Sequence, residues 1–399
     1  MRYRRALLPT VKEAPSDATT ASHSLLLRAG YIRRVGAGIY SFLPLGVKVL
    51  KKIEQIVVEE MNRAGAEQVI LPALLPAEYF KETGRWDVFG PQLMRLVDRK
   101  GGDYHLGPTH EEIITDLARR EIHSYRDLPK NLYQVQVKFR DEPRPRAGLL
   151  RCREFLMKDA YSFDADAAGA ERSYQSMRAA YTRIFDRTGL TYRRVSADAG
   201  AMGGSKNEEF QVLVHSGEDI IAACEACEYA ANLEVAVSRV TDSPPAEGSV
   251  PAPRSVDTPD QRSIEEVARF LKVPQTRMLK SLIYRSGPRV VMAVLRGDHE
   301  LNEDKLSRAL GLGEVELADA ATVQKVTGAP VGFAGPVGFA GEIAIDPAAA
   351  AVADGVAGAN AADRHLLHVV FGRDYSGKVA DLRSVLDGDV CAECGGALK

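Results

Sequence analysis

The chain has 399 residues, a formal net charge of −2 at pH 7, 45% hydrophobic residues and 27% charged residues. This composition is typical of a globular protein with two or three domains, and the near-neutral charge excludes strong nucleic-acid binding by the molecule as a whole. No stretch approaches the roughly 20 apolar residues of a membrane span, and the N-terminus lacks the apolar core of a signal peptide. We therefore expect a cytoplasmic α/β enzyme with no membrane partner.

The first predicted element is an amphipathic helix over residues 44–65, with Pro44 at its start and Gly65 at its end. Its apolar positions recur at helical spacing and are Val47, Leu50, Ile53, Val57 and Met61. The segment EQVILPALLP, residues 67–76, predicts a buried strand that is ended by prolines. A further helix is predicted within residues 162–189.

An arginine-rich hairpin is predicted over residues 131–155. Polar and apolar residues alternate in NLYQVQVKFRDE, so one face of this strand carries Gln136, Lys138, Arg140 and Glu142. The prolines of PRPRAGLL interrupt the ladder, and the chain returns through RCREF. Guanidinium groups, one carboxylate and one aromatic ring suit a nucleotide, because a guanidinium binds phosphate oxygens bidentately. The alternative is a solvated basic hairpin at a sheet edge.

The composition changes over residues 238–262, which contain five prolines and almost no large apolar residue, and which we interpret as a linker. Order resumes at Ser263, which forms a predicted capping box with Glu266. Two strands around 279–285 and 289–296 and a helix capped by Asn302 follow. This alternation predicts an independent α/β domain.

The hairpin pattern is specific: Arg140-x-Glu142 followed by Arg151-x-x-x-Phe155 resembles the second signature motif of class II aminoacyl-tRNA synthetases. Together with GPTHEE at 107–112, the chain closely resembles the bacterial-type prolyl-tRNA synthetases over nearly its whole length. The resemblance implies an α/β (α+β) fold with an antiparallel-sheet class II catalytic core and an inserted α/β editing domain. It places the core at 1–237, the linker at 238–262, the editing domain at 263–388 and a return to the core at 389–399.

The resemblance also implies roles for the hairpin residues. Arg140 would bind the α-phosphate of ATP, supplied with Mg²⁺, at the point where charge develops during attack by the amino-acid carboxylate. Glu142 would accept from the adenine amine, Phe155 would stack on adenine and Arg151 would support the nucleotide. The loop residues Arg144 and Arg146 would meet the acceptor end of tRNA(Pro).

The amino-acid pocket must bind the secondary ammonium of proline, which offers two N–H donors. In GPTHEE we expect Thr109 and Glu111 to do so, whereas His110 is more simply explained as a structural residue. The segment GGSKNEEFQV resembles the part that closes the pocket in the family, with Gly203 and Gly204 permitting close approach, although a glycine pair is equally a simple turn.

A proline pocket cannot strongly exclude the smaller alanine, because missing methylenes contribute only about 1–3 kcal/mol of discrimination. The insertion resembles a hydrolytic domain that removes alanine from mischarged tRNA(Pro). Its matching residues are Lys280, Gly332, Gly335, Pro336, Asp346 and His365. Lys280 would hold a phosphate of the tRNA 3′ end, the 332–335 loop would position the ester carbonyl, and His365 would orient the ribose or select a small side chain. Taken singly, each residue is explained as well by a structural role.

Two further expectations follow from the resemblance. The 44–65 helix would form the interface of a homodimer, although a plain core helix fits the same pattern. The family's third motif does not occur within the 399 residues, so we expect a chain that corresponds to the N-terminal portion of the enzyme. The alternatives are a synthetase-like paralogue that does not aminoacylate and a deacylase that edits in trans.

Four of the five cysteines form two CxxC pairs, at 224–227 and 391–394. An insertion must leave and rejoin its host at neighbouring points, so the two pairs should meet. The tetrahedral zinc site that they predict consists of Cys224, Cys227, Cys391 and Cys394. Gly395 and Gly396 would permit the tight turn of a zinc knuckle. Redox pairs and free thiols are the alternatives, and Cys152 takes no part.

Overall fold

The computed structural model describes residues 6–198, 206–214, 217, 219–240 and 250–399. The chain divides into two compact units. The first comprises residues 1–192 and 214–216, and the second comprises residues 193–213 and 217–399. Within the described ranges, no helix combines the length and the hydrophobicity that crossing a membrane requires.

The first unit is built from short sheets and six described helices. The helices are α1 (Ala21–Arg28), α2 (Pro44–Arg63), α3 (Ala77–Glu82), α4 (Arg85–Val88), α5 (Glu111–Glu121) and α6 (Ala167–Thr188). The strands are β1 (Ile32–Gly36), β2 (Ile39–Phe42), β3 (Glu67–Gln68), β4 (Leu74–Pro76), β5 (Arg95–Val97), β6 (Asp103–Leu106), β7 (Lys130–Phe139) and β8 (Glu154–Phe163). They form the sheets β1-β2, β3-β7-β8 and β4-β6-β5.

The predicted hairpin is confirmed. Strands β7 and β8 pair antiparallel without interruption, from Lys130 opposite Phe163 to Phe139 opposite Glu154. Helices α2 and α6 pack on this pair through a core that includes Met61 and Tyr133. The predicted helix ends are also confirmed, because Gly65 and Gly189 adopt positive φ just after α2 and α6.

The single buried strand predicted over residues 67–76 is wrong. Strands β3 and β4 belong to two different sheets, and Ile70 between them is 86% exposed. The physical reason lies at Leu71, whose backbone N–H and carbonyl are bound by the side chains of Gln134 and Gln136, at 3.2 and 2.6 Å. At Leu71, these side-chain amides replace the backbone hydrogen bonds that a neighbouring strand would make.

The second unit is organised around a larger sheet. Its described strands are β9 (Tyr192–Ser196, which starts at the unit boundary), β10 (Glu208–Val212), β11 (Ile221–Ala223), β12 (Ala230–Asn232), β13 (Arg254–Asp257), β14 (Leu279–Ser286), β15 (Arg289–Arg296), β16 (Glu316–Leu317), β17 (Glu342–Ile345), β18 (Gly355–Gly358), β19 (Arg364–Val369) and β20 (Lys378–Val379). Its described helices are α7 (Ile264–Leu271), α8 (Glu303–Leu310), α9 (Ala320–Thr327) and α10 (Pro347–Ala350). The sheets are β10-β9-β12-β11, β13-β19-β18 and β16-β14-β15-β17-β20.

The five-stranded sheet is buried on both faces. Alternate residues of β15 enter two different cores: Met292 and Val294 on one side, Val291 and Ala293 on the other. Strands β15, β17 and β20 run parallel, whereas β14 and β15 form a hairpin. This mixed sheet with covering helices agrees with the predicted α/β insertion.

The caps predicted for the insertion are confirmed, with a complete capping box at Ser263 and Glu266 and with Asn302 capping α8. The predicted linker differs at its C-terminal end, because residues 254–257 form β13 and pair antiparallel with β19. This strand is short and exposed at three of its four positions, so it lacks the apolar alternation that would have revealed it.

Candidate functional site

Arg140 lies at the centre of the hairpin site, directly after β7. Its guanidinium carbon is 5.6 Å from the centroid of the Phe155 ring, and its Nη2 is 3.5 Å from the Pro108 carbonyl oxygen. Its Nε is buried and has no acceptor among the described residues. Burial lowers the pKa of Arg140, and the nearby charge of Glu142 opposes this. The guanidinium is therefore desolvated without full compensation, as expected of a group that binds an anionic ligand.

The other predicted nucleotide residues lie around Arg140. Glu142 and Arg151 form an ion pair of 2.9 Å, and the hydrogen bond from Arg151 is the main reason that the pKa of Glu142 is lowered. Arg144 and Arg146 are exposed on the connecting loop. The hairpin thus combines a half-buried aromatic ring, a paired carboxylate and outward-facing arginines.

The predicted amino-acid loop connects β6 to α5. Thr109 is buried, and its hydroxyl is 3.4 Å from the Tyr161 hydroxyl. Glu111, the first residue of α5, stays 43% exposed at a cleft of about 350 Å³, where Arg85 binds it at 2.5 Å and binds Glu112 at 2.9 Å. The carboxylate of Glu111 therefore has a fixed direction but remains accessible. Gly203 and Gly204 lie outside the described residues.

The polar face predicted as the surface of β7 is in part an interior face, and this prediction is wrong at Lys138. Lys138 is 0% exposed; its Nζ lies 2.9 Å from Asp159 Oδ1 and also donates to His110 Nδ1. Burial lowers the pKa of Lys138, and its hydrogen bond with Asp159 opposes this. The strand exposes neither face fully, so alternation could not tell solvent from a buried polar site.

A second candidate site lies in the insertion, in a cleft of about 330 Å³ beside the N-terminus of α7. Lys280, Gly332 and His365 all line it, together with Ser281, Ala334 and Gly358. The Lys280 ammonium is held by the His299 carbonyl and by a carboxylate oxygen of Glu300, each at 2.7 Å. The structure thus brings three of the six predicted editing residues to one cleft.

His365 is buried at this cleft, and Thr258 Oγ1 lies 2.7 Å from its Nδ1. The ring of Phe333 packs edge-on against it, with centroids 5.7 Å apart. Burial lowers the pKa of His365 to about 4, so the imidazole is neutral at pH 7. It can orient a ligand by hydrogen bonding, but it carries no charge there.

The glycine loop is tightly packed. Gly332 has φ +101°, and a Cβ at Gly335 would lie 1.8 Å from the Gly358 carbonyl oxygen. The side chain of Asn360 accepts from the Gly335 N–H at 2.8 Å and donates to the Gly335 and Val337 carbonyls. The loop is therefore rigid at Gly335, and only glycine fits there.

Asp346 does not belong to this cleft, so its predicted place among the editing residues is corrected. It is buried and caps α10, accepting from the Ala348 N–H at 3.0 Å, while its Oδ2 accepts from Leu382 and Arg383 N–H groups at 3.0 and 3.1 Å. Its oxygens are occupied by backbone donors. Gly335 and Pro336 are likewise absent from the described lining of the cleft, although their neighbour Ala334 lines it.

The four predicted zinc ligands come together. Their sulfur atoms all lie within 4.8 Å of one another, and Cys224–Cys394 and Cys227–Cys391 approach to 3.4 and 3.8 Å without a disulfide bond. Backbone N–H groups of Ala226, Tyr229 and Gly396 donate to the sulfurs of Cys224, Cys227 and Cys394.

The pKa values of two of these thiols are shifted in opposite directions. The Ala226 N–H is the main cause that lowers the pKa of Cys224 to about 7. The Tyr229 N–H acts in the same direction at Cys227, but burial and the neighbouring sulfurs outweigh it and raise that pKa to about 12. Four thiolates at this spacing need a cation between them, so the set fits a tetrahedral ion.

Sequence reasoning missed Arg85, Lys138, Asp159 and Tyr161, and it set His110 aside. These residues surround the 107–111 loop from α4, β7 and β8. A lysine and an aspartate within two paired strands were the available signal, because charged residues at such positions are seldom buried unless they are paired.

Comparisons with known proteins match two segments of the chain to two different families. A family model of the tRNA synthetase class II core domain (G, H, P, S and T) matches residues 94–246, and a model of the aminoacyl-tRNA editing domain matches residues 258–374. The chain is 53% identical to a proline–tRNA ligase of Geobacter metallireducens over 398 residues, covering 99% of this chain and 69% of that protein. It is also 53% identical to a proline–tRNA ligase of Syntrophotalea carbinolica over 403 residues, covering 100% of this chain and 70% of that protein.

Solved structures of prolyl-tRNA synthetases show a more distant likeness. The enzyme of Giardia lamblia in complex with prolyl-adenylate matches with a TM-score of 0.40 and 22% identity, covering 42% of this chain and 35% of that chain. The enzyme of Cryptosporidium parvum complexed with L-proline and AMP matches with a TM-score of 0.44 and 15% identity, covering 50% of this chain and 41% of that chain.

Proposed function

Because the chain belongs to the family of proline–tRNA ligases, class II aminoacyl-tRNA synthetases with an editing domain, we propose how its residues divide the work. The enzyme activates proline with ATP, transfers it to tRNA(Pro) and edits mischarged tRNA. The hairpin at Arg140 binds ATP, the loop at Thr109 and Glu111 binds proline, and the cleft at His365 is the hydrolytic site.

Activation is an in-line attack of the proline carboxylate on the α-phosphate of ATP, which enters with its Mg²⁺. The charge that develops on the phosphate oxygens is stabilised by Arg140, whose buried Nε lacks an acceptor among the described residues. Phe155 stacks on adenine beside that guanidinium. Arg151 supports the nucleotide and orients Glu142, which accepts from the adenine amine.

The proline ammonium is bound by acceptors on the neighbouring loop. Glu111 supplies the negative charge, with its direction fixed by Arg85, and the Thr109 hydroxyl supplies a second acceptor. Arg140 is the observation that carries this proposal, because it contacts Phe155 on the nucleotide side and the Pro108 carbonyl on the amino-acid side. The two substrates therefore meet at one guanidinium.

Editing uses the cleft of the insertion. Lys280 binds a phosphate of the tRNA 3′ end, the rigid loop at Gly332 and Gly335 positions the ester carbonyl, and neutral His365 orients the terminal ribose or the small side chain. The glycine loop lines a cleft of about 330 Å³, and a double sieve requires that this cleft admit alanine and exclude proline.

The cysteine cluster binds structural Zn²⁺ in this proposal. The ion would join the 224–227 knuckle to the 391–394 knuckle and fasten the two ends of the insertion together. Gly395 with φ +81° makes the turn, and a Cβ at Gly396 would lie 3.2 Å from Cys224 Sγ, so the knuckle requires both glycines.

The assembly is proposed to be a cytoplasmic homodimer that uses α2 as its interface. The apolar face of α2 is buried at Met61 but open at Val47 and Ile53, which are 41% and 44% exposed.

Arg144 and Arg146 face the acceptor end of tRNA(Pro). The proposed domains are 1–237 for the core, 238–253 for the linker, 254–388 for editing, which gains β13, and 389–399 for the return.

ATP–pyrophosphate exchange by the purified enzyme tests the assignment. Proline should drive exchange, and Arg140→Lys should lower its rate by roughly 100-fold, because the lysine cannot form the guanidinium's paired hydrogen bonds. Arg126→Lys, at an exposed arginine outside the hairpin, is the control and should leave the rate unchanged. Exchange driven by serine or threonine instead of proline would contradict the proposal.

A further inference from the structure

A chain of part-buried hydrogen bonds leads from the β7–β8 sheet to the Thr109 hydroxyl. Asp159 Oδ2 is 2.7 Å from the Tyr161 hydroxyl oxygen, which lies 3.4 Å from Thr109 Oγ1 and 3.2 Å from the backbone nitrogen of His110. Lys138 is 2.9 Å from the other oxygen of Asp159. We call the hydrogen-bonded chain from Asp159 through Tyr161 to Thr109 the relay. It ends in the proposed proline-binding loop.

The direction of each hydrogen bond in the relay follows from its first member. An ionised carboxylate only accepts, so Tyr161 must donate its single proton to Asp159. Its oxygen can then only accept, which it does from the His110 N–H. Thr109 must therefore donate its own proton to Tyr161, and only the lone pairs of the Thr109 oxygen remain for a ligand.

That polarity matches the substrate. The proline ammonium has two N–H donors and no acceptor, so a threonine hydroxyl that pointed its proton at the ligand would oppose binding. A free hydroxyl rotates between both roles, whereas the relay leaves Thr109 only one.

Two features keep the relay in this state. Lys138 forms an ion pair with Asp159, and burial raises the pKa of Tyr161, which keeps it protonated. Lys138 also donates to His110 Nδ1, while His110 Nε2 donates to the Pro72 carbonyl at 2.9 Å. These two contacts fix the tautomer of His110 and anchor the loop.

We propose that Asp159 and Tyr161 are positioning residues that force Thr109 to present an acceptor to the substrate ammonium, with Lys138 holding the relay in its charged form. The inference rests on the proposed role of Thr109 in binding proline. It explains why a fully buried lysine lies within the catalytic unit, and it predicts an effect on proline but not on ATP.

The test measures KM for proline and for ATP separately by pyrophosphate exchange. Tyr161→Phe should raise KM for proline about tenfold, which corresponds to the loss of one hydrogen bond to a charged group, and should leave KM for ATP within about twofold. Tyr133→Phe is the matched control, because Tyr133 is another buried tyrosine of the same sheet, and its hydroxyl donates to Asn62 instead, at 2.8 Å.

Asp159→Asn gives an independent arm. The amide oxygen should turn to the charged, donor-only Lys138. The NH₂ group then faces Tyr161 and also Gln134 Nε2, which donates to Asp159 Oδ2 at 3.0 Å in the wild type, so the relay is reversed or broken. KM for proline should then rise at least as far as in Tyr161→Phe, with KM for ATP again unchanged.

Thr109→Val separates this inference from the proposed function. If Thr109→Val leaves KM for proline unchanged, the loop assignment itself fails. If Thr109→Val raises it but Tyr161→Phe and Asp159→Asn do not, only the relay fails. In the Thr109→Val background, Tyr161→Phe should add about twofold or less, because it acts through Thr109. Full additivity, or equal rises in both KM values, would overturn the inference.

Discussion

Thr258 Oγ1 lies 2.7 Å from His365 Nδ1, so a hydroxyl and not a carboxylate orients the histidine of the editing cleft. Thr258 is itself completely buried. With no negative charge against the ring, burial alone determines the pKa of the imidazole, which falls to about 4. The ring is held in place and kept neutral by the same arrangement.

Removing the Thr258 hydroxyl should leave the His365 imidazole in the cleft but less firmly oriented. Thr258→Val should lower hydrolysis of alanyl-tRNA(Pro) by about tenfold, the loss of one buried hydrogen bond, whereas Thr258→Ser should stay near wild type. His365→Ala should in addition reduce the discrimination between alanyl- and prolyl-tRNA. Deacylation of pre-charged tRNAs measures both effects, and unchanged selectivity in His365→Ala would show that the histidine is purely structural.

The lowered pKa of His365 makes stability depend on pH. Its folded pKa of about 4 lies below the ordinary value near 6.5, so the unfolded state binds more protons between these values. Stability from this residue is complete above about pH 6.5 and is lost as the pH falls toward 4, with a loss of about 2 kcal/mol at pH 5. Urea unfolding at pH 7.5 and pH 5 should show a smaller difference for His365→Gln than for wild type. An equal difference in both proteins would contradict the prediction.

Lys280 should matter for tRNA binding at the editing cleft. Lys280 lines the cleft, and the His299 carbonyl and Glu300 hold its ammonium, so Lys280→Ala should lower alanyl-tRNA deacylation by about tenfold or more at physiological salt. Arg285→Ala is the matched control, since Arg285 is a cation of the same strand that pairs with Glu316 and does not line the cleft. Equal losses in both variants would point to general destabilisation instead.

The cysteine cluster should bind about one zinc ion per chain in protein purified without chelator. Cys224→Ser should abolish binding, and Gly396→Ala should weaken it, because the new Cβ would lie 2.7 Å from Ala226 Cβ and 3.2 Å from Cys224 Sγ. Cys152→Ser should leave the metal content unchanged. Elemental analysis measures the zinc content, and thermal melts before and after chelation measure how much the ion stabilises the fold. A metal-free wild-type protein would refute the site.

Local signals in the sequence predicted much of the fold. The capping box at Ser263 and Glu266, the cap at Asn302 and the strands at 279–285 and 289–296 depend on a few neighbouring residues, and each is confirmed. The local pattern predicted a single strand over residues 67–76 that does not exist. The reason is that Gln134 and Gln136, which are distant in sequence, bind the backbone of Leu71. The competing partner was 63 residues away in sequence.

The candidate sites divide in the same way. Motif spacing predicted that Arg140 and Phe155 lie in one site and that the four cysteines meet, and the structure brings both sets together. Motif spacing failed at Asp346, whose carboxylate caps α10. Polar–apolar alternation failed at Lys138, whose side chain is fully buried. Both depend on what surrounds the side chain in three dimensions, which a linear pattern does not carry.

The two ends of the insertion are neighbours, since Ser238 and Cys391 form an isolated antiparallel bridge and the Arg239 N–H donates to the Val390 carbonyl at 2.8 Å. In topological terms the whole editing domain is the loop of a hairpin. The entropy lost on closing a loop grows only with the logarithm of its length, by about 0.6 kcal/mol for each doubling. Inserting a domain of this size between two paired residues therefore costs little more loop-closure entropy than inserting a long surface loop.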